Sequence, residues 1–272
     1  MVEVIPLKYG VTFKRVFSQP EIFKQFIFDL LGIRLDIDVV KTEYEYPESV
    51  GYVRIKYDLF AEDTNPRTIV EVQHIKYHDF FERFLYYHLI GMIEQARTYQ
   101  GYRFGRAVYT IVVLTTVPED QSIEFSHATQ DLSFLTEFGK RFSPYPHRLI
   151  VLVPRNVNEQ TPTGIKAWLE LIKDSLDSRL DESDYPLALF QQVIAAIKRN
   201  TMTPDELAQI KDQESVNMTQ ADWKQQGRQE GRQDEQQAVA RQMLSYGESI
   251  EKIELYTKLS RQEIEQLQQP EQ

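Results

Sequence analysis

The 272-residue chain has no cysteine, which excludes a disulfide framework and any thiolate metal site. Tryptophan is nearly absent, at two residues, so aromatic packing must rest on 15 phenylalanines and 15 tyrosines. No stretch approaches the roughly 18 apolar residues that a membrane helix needs. The opening MVEVIPLKYG lacks the charged region and apolar run of a signal peptide. The expectation is a cytoplasmic protein with no membrane partner.

Positive charge is also in short supply. Lysine and arginine number 31 against 41 acidic residues, for a net charge of -10. Phosphate binding usually needs a basic surface, so whole-chain electrostatics give a nucleic-acid partner no support. The deficit is uneven, however. Residues 201–272 hold 14 acids and 8 bases, residues 168–200 hold 6 and 4, and everything before residue 168 holds 21 and 19. A locally basic groove can therefore exist in the first part of the chain. The length suits one well-buried domain with an extension, or two small domains.

Apolar spacing predicts an amphipathic helix over Thr12 to Leu31, capped by Gly32. Strand signals follow at Ile37–Tyr46, Gly51–Ala61 and Thr68–Gln73, with a polar turn over Glu62–Arg67. Residues 79–100 read as a helix with Phe81, Leu85, His88, Leu89, Met92 and Ala96 along one face. Ala107–Leu114 and Leu149–Val153 are short apolar runs of the kind found in buried strands. This order predicts an α/β fold with a mixed sheet flanked by helices. Past Pro154 the pattern becomes helical. Two capping boxes, Thr203-Pro-Asp-Glu206 and Ser260-Arg-Gln-Glu263, mark helix starts. Residues 211–237 are very polar and contain the near-repeat Gly227-Arg-Gln-Glu230, Gly231-Arg-Gln-Asp234. Residues 238–267 regain apolar spacing, as in a short helical hairpin. The expected division is 1–200 for the main domain and 201–272 for a polar helical tail.

The chemistry concentrates in Tyr52-Val-Arg-Ile-Lys-Tyr-Asp58 and Ile69-Val-Glu71-Val-Gln73. Strict strand alternation puts Val53, Ile55, Tyr57 and Leu59 on one face, with Val70 and Val72 able to join them. Arg54, Lys56 and Asp58 then share the other face with Glu71 and Gln73. If the two strands pair, two carboxylates and an amide converge. Close carboxylates repel unless neutralised, and a hard divalent cation does this naturally. The same spacing also suits an exposed hairpin face with ordinary ion pairs. His74 and His78 have i, i+4 spacing but lack the acid of a zinc-protease helix. Arg97, Arg103 and Arg106 are candidate phosphate contacts or simply solvated arginines. Phe80, Phe81 and Phe84 read as core side chains.

The ordered set Asp58…Glu71-Val-Gln73, a following helix with Arg83 and Tyr87, and two hydrophobic strands resembles the recombination-promoting nuclease (transposase) family. That family belongs to the PD-(D/E)XK superfamily. The entry segment Tyr9-Gly-Val-Thr-Phe-Lys-Arg-Val-Phe17, the Gly-Arg-Gln-Glu units and the run Met243-Leu-Ser-Tyr-Gly-Glu-Ser-Ile-Glu-Lys-Ile extend the likeness over nearly the whole chain. The resemblance implies a restriction-endonuclease-like fold with an α-helical C-terminal extension. It further implies that Asp58 and Glu71 bind Mg2+ or Mn2+ and that Gln73 occupies the family's lysine position. The implied activity is DNA endonuclease hydrolysis associated with recombination or mobile elements, with Lys56, Arg83 and Tyr87 as DNA-binding candidates. Two departures stand out. Gly10 replaces an aspartate that often begins the family's entry helix, so a helper carboxylate is missing or comes from elsewhere, with Glu21 a candidate. Gln73 brings hydrogen bonding but no charge. The alternatives are a nuclease-fold DNA-binding or scaffold protein without catalysis, and an RNA or structure-specific nuclease. Self-association through the tail is the expected role of its apolar stripe.

Overall fold

The computed structural model describes the backbone of residues 1–45, 55–63, 66–73, 80–97, 104–116 and 123–267, without side chains at 66–73, 80, 96–97 and 217–231. In chain order the elements are β1 (Val2–Glu3), α1 (Gly10–Phe17), α2 (Pro20–Leu31), β2 (Lys41–Glu45), β3 (Lys56–Glu62), β4 (Pro66–Gln73) and α3 (Phe80–Ile93). They continue with β5 (Ala107–Leu114), β6 (His127–Asp131), β7 (Phe134–Leu135), β8 (Arg141–Phe142), β9 (Arg148–Leu152), α4 (Thr163–Ser175), β10 (Arg179–Leu180), α5 (Ala188–Ile197), α6 (Pro204–Ser245), α7 (Ile250–Thr257) and α8 (Arg261–Leu267). The chain divides into two compact units, Met1–Ile210 and Lys211–Gln272.

The first unit is built on a six-stranded sheet of order β2-β3-β4-β5-β9-β6. β2, β3 and β4 are antiparallel neighbours, β4, β5 and β9 run parallel, and β6 closes the far edge antiparallel to β9. This is the mixed α/β fold that the element order predicts. One face carries Leu59, Ala61, Ile111, Val113, Ile150 and Leu152 beneath α1, α2, α4 and α5. Phe13, Phe17, Phe26, Trp168 and Phe190 interlock there, with neighbouring ring centroids 4.4–5.8 Å apart. Such pairs add roughly 0.5–1.5 kcal/mol each beyond area burial. On the other face, Phe84, Tyr87, Ile90 and Met92 of α3 lie among the buried residues that cover β3, β5 and β9.

The expected single helix over Thr12–Leu31 is two helices. Pro20 has no N–H to give to an interior helix bond and instead occupies the first turn of α2. Gly32 ends α2 in the left-handed conformation, φ 71°, a C-terminal cap that glycine adopts without steric cost. The first strand is shorter than Ile37–Tyr46, since Ile37 and Val40 are buried outside it. On α3 the stripe Phe81, Leu85, Leu89 is the more exposed side, and the buried side is Phe84, Tyr87 and His88. Of the three phenylalanines read as core, Phe84 is buried, Phe81 is partly exposed and the Phe80 side chain lies outside the described residues. At Gly164, α4 approaches α2 so closely that a Cβ would lie 2.3 Å from the Asp29 carbonyl oxygen. The Trp168 indole N–H donates to Asp29 Oδ2 across the same contact, 2.7 Å away.

Both capping boxes form. Thr203 and Glu206 bond reciprocally, as do Ser260 and Glu263, each through a backbone N–H of the other. Contrary to the expectation of separate polar and apolar helices in the tail, α6 is continuous for 42 residues. Its first turns belong with the first unit. Ile210 is buried with Ile5, Tyr9 and Met202, and Arg15 holds Glu206 through two bonds of 2.7 and 2.6 Å. In the second unit, Ala240, Ile253, Leu259 and Ile264 form a small core shared by the end of α6, α7 and α8.

Two buried histidines are expected to make the first unit acid-sensitive. His88 Nδ1 lies 3.0 Å from the Thr110 hydroxyl, and His147 Nδ1 accepts the Val108 N–H at 3.1 Å. Burial, with His147 nearby, lowers the His88 pKa from 6.5 to about 4. Because the folded state resists protonation, His88 contributes stability above pH 6.5 that is lost as pH falls through about 4. The loss amounts to at most about 3.5 kcal/mol at ~1.4 kcal/mol per pKa unit. Urea unfolding of wild type and His88→Gln across that window is expected to show a shallower acid decline in the variant. Identical declines would mean that His88 does not carry the effect.

Candidate functional site

The site residues expected from the sequence, Asp58, Glu71 and Gln73, lie on β3 and β4. The pairing runs Leu59↔Val70, Phe60↔Ile69, Ala61↔Thr68 and Glu62↔Arg67. The pairing runs as far as Leu59↔Val70, next to Asp58 on β3 and Glu71 on β4. On its other side β4 is paired with β5, with Glu71↔Val112 and Gln73↔Leu114. The two acidic positions thus lie on neighbouring strands, each one residue beyond the last β3–β4 pair. The side chains of Glu71 and Gln73 lie outside the described residues, as do His74, His78, Arg54 and Arg103.

Strict alternation does not hold along β3. Ile55 and Tyr57 join the cluster under α3, whereas Leu59 belongs to the cluster under α1 and α2. The expectation that they share one face fails at Asp58. Val53 lies outside the described residues. On the neighbouring strand, Thr42↔Leu59 and Tyr44↔Tyr57 flank the Asp58 position, and the residue between them, Glu43, has φ 52°. A left-handed glutamate inside a strand redirects the side chains around it, as irregularities of this kind do near sheet edges and sites.

Glu43 thereby becomes a junction that pattern reading missed. Its carboxylate accepts from Lys14 Nζ at 2.5 Å and pairs with Lys56 Nζ at 2.6 Å. Hydrogen bonds from these two lysines hold the Glu43 pKa down at about 2. Reciprocally, Glu43 raises the pKa of Lys56, with smaller contributions from Glu45 and Asp58. Lys56 therefore stands beside Asp58 as a fixed cation, and α1 supplies a second one through Lys14. No local sequence signal marks Glu43, because neither a positive φ nor a pairing with Lys14 is written in its neighbours.

The remaining candidates are placed as follows. Arg83 Nε donates to the Tyr87 hydroxyl at 3.1 Å, and the guanidinium lies over the Tyr87 ring. Tyr87 is itself buried against Tyr57, whose hydroxyl donates to the Tyr87 carbonyl at 3.0 Å. This ties α3 to β3 one residue away from Asp58. Glu21 pairs with Lys24 at the start of α2, while the carboxylate on the rung beside Asp58 is Glu43. Gly10 opens α1, and among the described residues a Cβ there would meet Lys14 Cε at 3.9 Å. Arg106 is bound to Glu62, and the Arg97 side chain lies outside the described residues. Among the described residues no group of three or more His, Cys, Asp or Glu side chains is arranged to hold a metal. Nor is any described helix long and apolar enough to cross a membrane.

The profile of the PD-(D/E)XK nuclease family transposases matches residues 8–227. No curated protein and no solved structure matches the chain.

The Glu43 conformation yields a test of the geometry. A left-handed glutamate costs about 1 kcal/mol or more that glycine does not, while its ion pairs weaken with salt. Glu43→Gly is expected to be near neutral in dilute buffer and about 1 kcal/mol more stable than wild type in ~1 M salt, measured by urea unfolding. Destabilisation that persists undiminished at high salt would contradict this account.

Proposed function

The chain belongs to the PD-(D/E)XK nuclease family transposases, and from that premise we propose that it is a metal-dependent DNA endonuclease with Asp58, Glu71 and Gln73 at its centre. The observation that supports the proposal is the β3–β4 pairing, which runs as far as Leu59↔Val70, one residue from Asp58 on β3 and from Glu71 on β4. Two carboxylates on neighbouring strands fit a hard divalent cation, because oxygen ligands from one or two carboxylates suffice for magnesium when water and phosphate complete the shell. Mg2+ or Mn2+ held there would supply Lewis acidity at the scissile phosphate and a water of lowered pKa.

The chain's own residues do the rest. The Gln73 carboxamide, a donor and an acceptor, orients the attacking water by hydrogen bonding. Lys56, held in an ion pair with Glu43, stabilises negative charge developing on the phosphate oxygens. Arg83, in contact with Tyr87, extends the cationic lining along α3. Glutamine in place of a lysine leaves the centre one charge short, so cleavage is expected to be slow. A nuclease-fold DNA-binding protein without catalysis is the competing reading, supported by Gly10 and Gln73. The broader biological occasion in this proposal is recombination or element mobility, in the cytoplasm.

Asp58→Ala and Glu71→Ala are each expected to abolish magnesium-dependent nicking of supercoiled plasmid, a loss of at least about 100-fold for a ligand on which the chemistry depends. Full activity in either purified, folded variant would refute the assignment. Gln73→Lys is expected to keep or raise the nicking rate, since a cation near the phosphate helps the transition state. A collapse of the rate with the fold intact would show that a glutamine-specific hydrogen bond is required. The tail is proposed to mediate self-association, its apolar stripe acting between copies. A chain ending at Ile210 is expected to retain nicking and fall to a lower molar mass in light scattering. An unchanged mass would remove self-association from the tail. Ending the chain at Asn200 is expected to cost stability as well, because Met202, Leu207 and Ile210 pack in the first unit.

A further inference from the structure

Between the edge strand β6 and β9 the chain forms a two-stranded ribbon, β7 and β8, paired Phe134↔Phe142 and Leu135↔Arg141. Its side chains do little for the core. Leu135 is 74% exposed, Phe138 79% and Phe142 60%, and none of the three belongs to a buried cluster among the described residues. The ribbon is shaped instead by polar bonds. Thr136 N–H donates to the Lys140 carbonyl at 2.9 Å, Gly139 N–H to the Thr136 carbonyl at 2.9 Å, and the Ser133 and Ser143 hydroxyls meet at 2.6 Å. Gly139 takes φ 71°, a left-handed turn that leaves Phe138 at the tip.

An ordered ribbon that spends its large apolar groups on solvent marks a contact surface. Charge selects the partner. Residues 132–148 contain Lys140, Arg141 and Arg148 against the single acid Glu137, within a chain of net charge -10. Arg141 reaches Asp131 at 3.4 Å but stays 72% exposed. Cations alternating with exposed aromatic rings suit a polyanion with stacked bases better than an apolar protein face. A two-stranded ribbon also has the dimensions to enter a DNA groove.

We propose that this ribbon is a DNA-binding arm, with Phe138 wedged at a base step of duplex DNA and Lys140 and Arg141 on the flanking phosphates. The proposal takes its substrate class from the nuclease reading above. It also places locally the positive charge that the chain lacks as a whole.

The test uses the full chain and a fluorescent duplex of about 20 base pairs, with EDTA present to prevent cleavage, in a salt series. Phe138→Ala is expected to weaken binding about tenfold without changing the salt dependence, because it removes an apolar wedge and no charge. The double variant Lys140→Ala, Arg141→Ala is expected to lower the slope of log K against log salt by about 2, close to 0.9 for each phosphate that is no longer neutralised. Both substitutions are at exposed positions, so thermal unfolding should not move. Variants that bind like a wild type that nicks plasmid would overturn the arm and leave the nuclease reading standing. A wild type that neither binds nor nicks DNA would overturn both. Unchanged DNA binding together with loss of a dimer in light scattering would make the ribbon a protein interface, and the proposal would fail.

Discussion

The antiparallel pairing of β3 with β4 is the constraint on which the rest depends. β4 is held on both edges, by β3 on one side and by parallel β5 on the other. A slip of one residue would exchange the faces of every side chain on the strand. The core forbids that slip. Leu59 and Ala61 are anchored under α1 and α2, while Phe60 is anchored under α3 against Tyr44. Hydrophobic burial on two faces thus fixes the register of the strands that carry the polar candidates.

From those strands outward, each layer limits the next. Tyr57 bonds the backbone of Tyr87, so α3 cannot shift along β3 without breaking a buried hydrogen bond, which typically costs ~1–3 kcal/mol when one group is left unsatisfied. Glu43 links α1 to β3 through Lys14 and Lys56. The edge with the candidate chemistry is therefore braced by ion pairs and an irregular rung. The sheet face under α1, α2, α4 and α5 is braced by aromatic packing and by the close approach at Gly164.

Much of this was legible in the sequence. Ala107–Leu114 is a strand over the full predicted range, because a continuous β-branched apolar run has few other solutions. Both capping boxes form, because their bonds are local. The pairing of the Asp58 and Glu71 segments as a hairpin also follows from a short polar turn between them. Non-local facts were not legible. Pro20 splits the entry helix, although a proline between apolar periods is a signal that could have been used. The buried side of α3 keeps His88 and Met92 of the predicted stripe but takes Phe84 and Tyr87 in place of Phe81, Leu85 and Leu89, a choice made by the sheet beneath it. The left-handed Glu43, and the departure from alternation at Asp58, arise from pairing with a strand whose position the local sequence does not encode. The tail likewise keeps one helix through two glycines, each of which costs only about 1 kcal/mol relative to alanine.

The central claim is that Asp58 and Glu71 form one divalent-cation site. Calorimetric titration of Mn2+ into the full-length protein tests it without depending on catalysis or on finding the right DNA. The account predicts a saturable site of one ion per chain, lost in Asp58→Asn and in Glu71→Gln while both variants unfold like wild type. Saturable binding that survives both substitutions, or a wild type that binds no Mn2+, would contradict it.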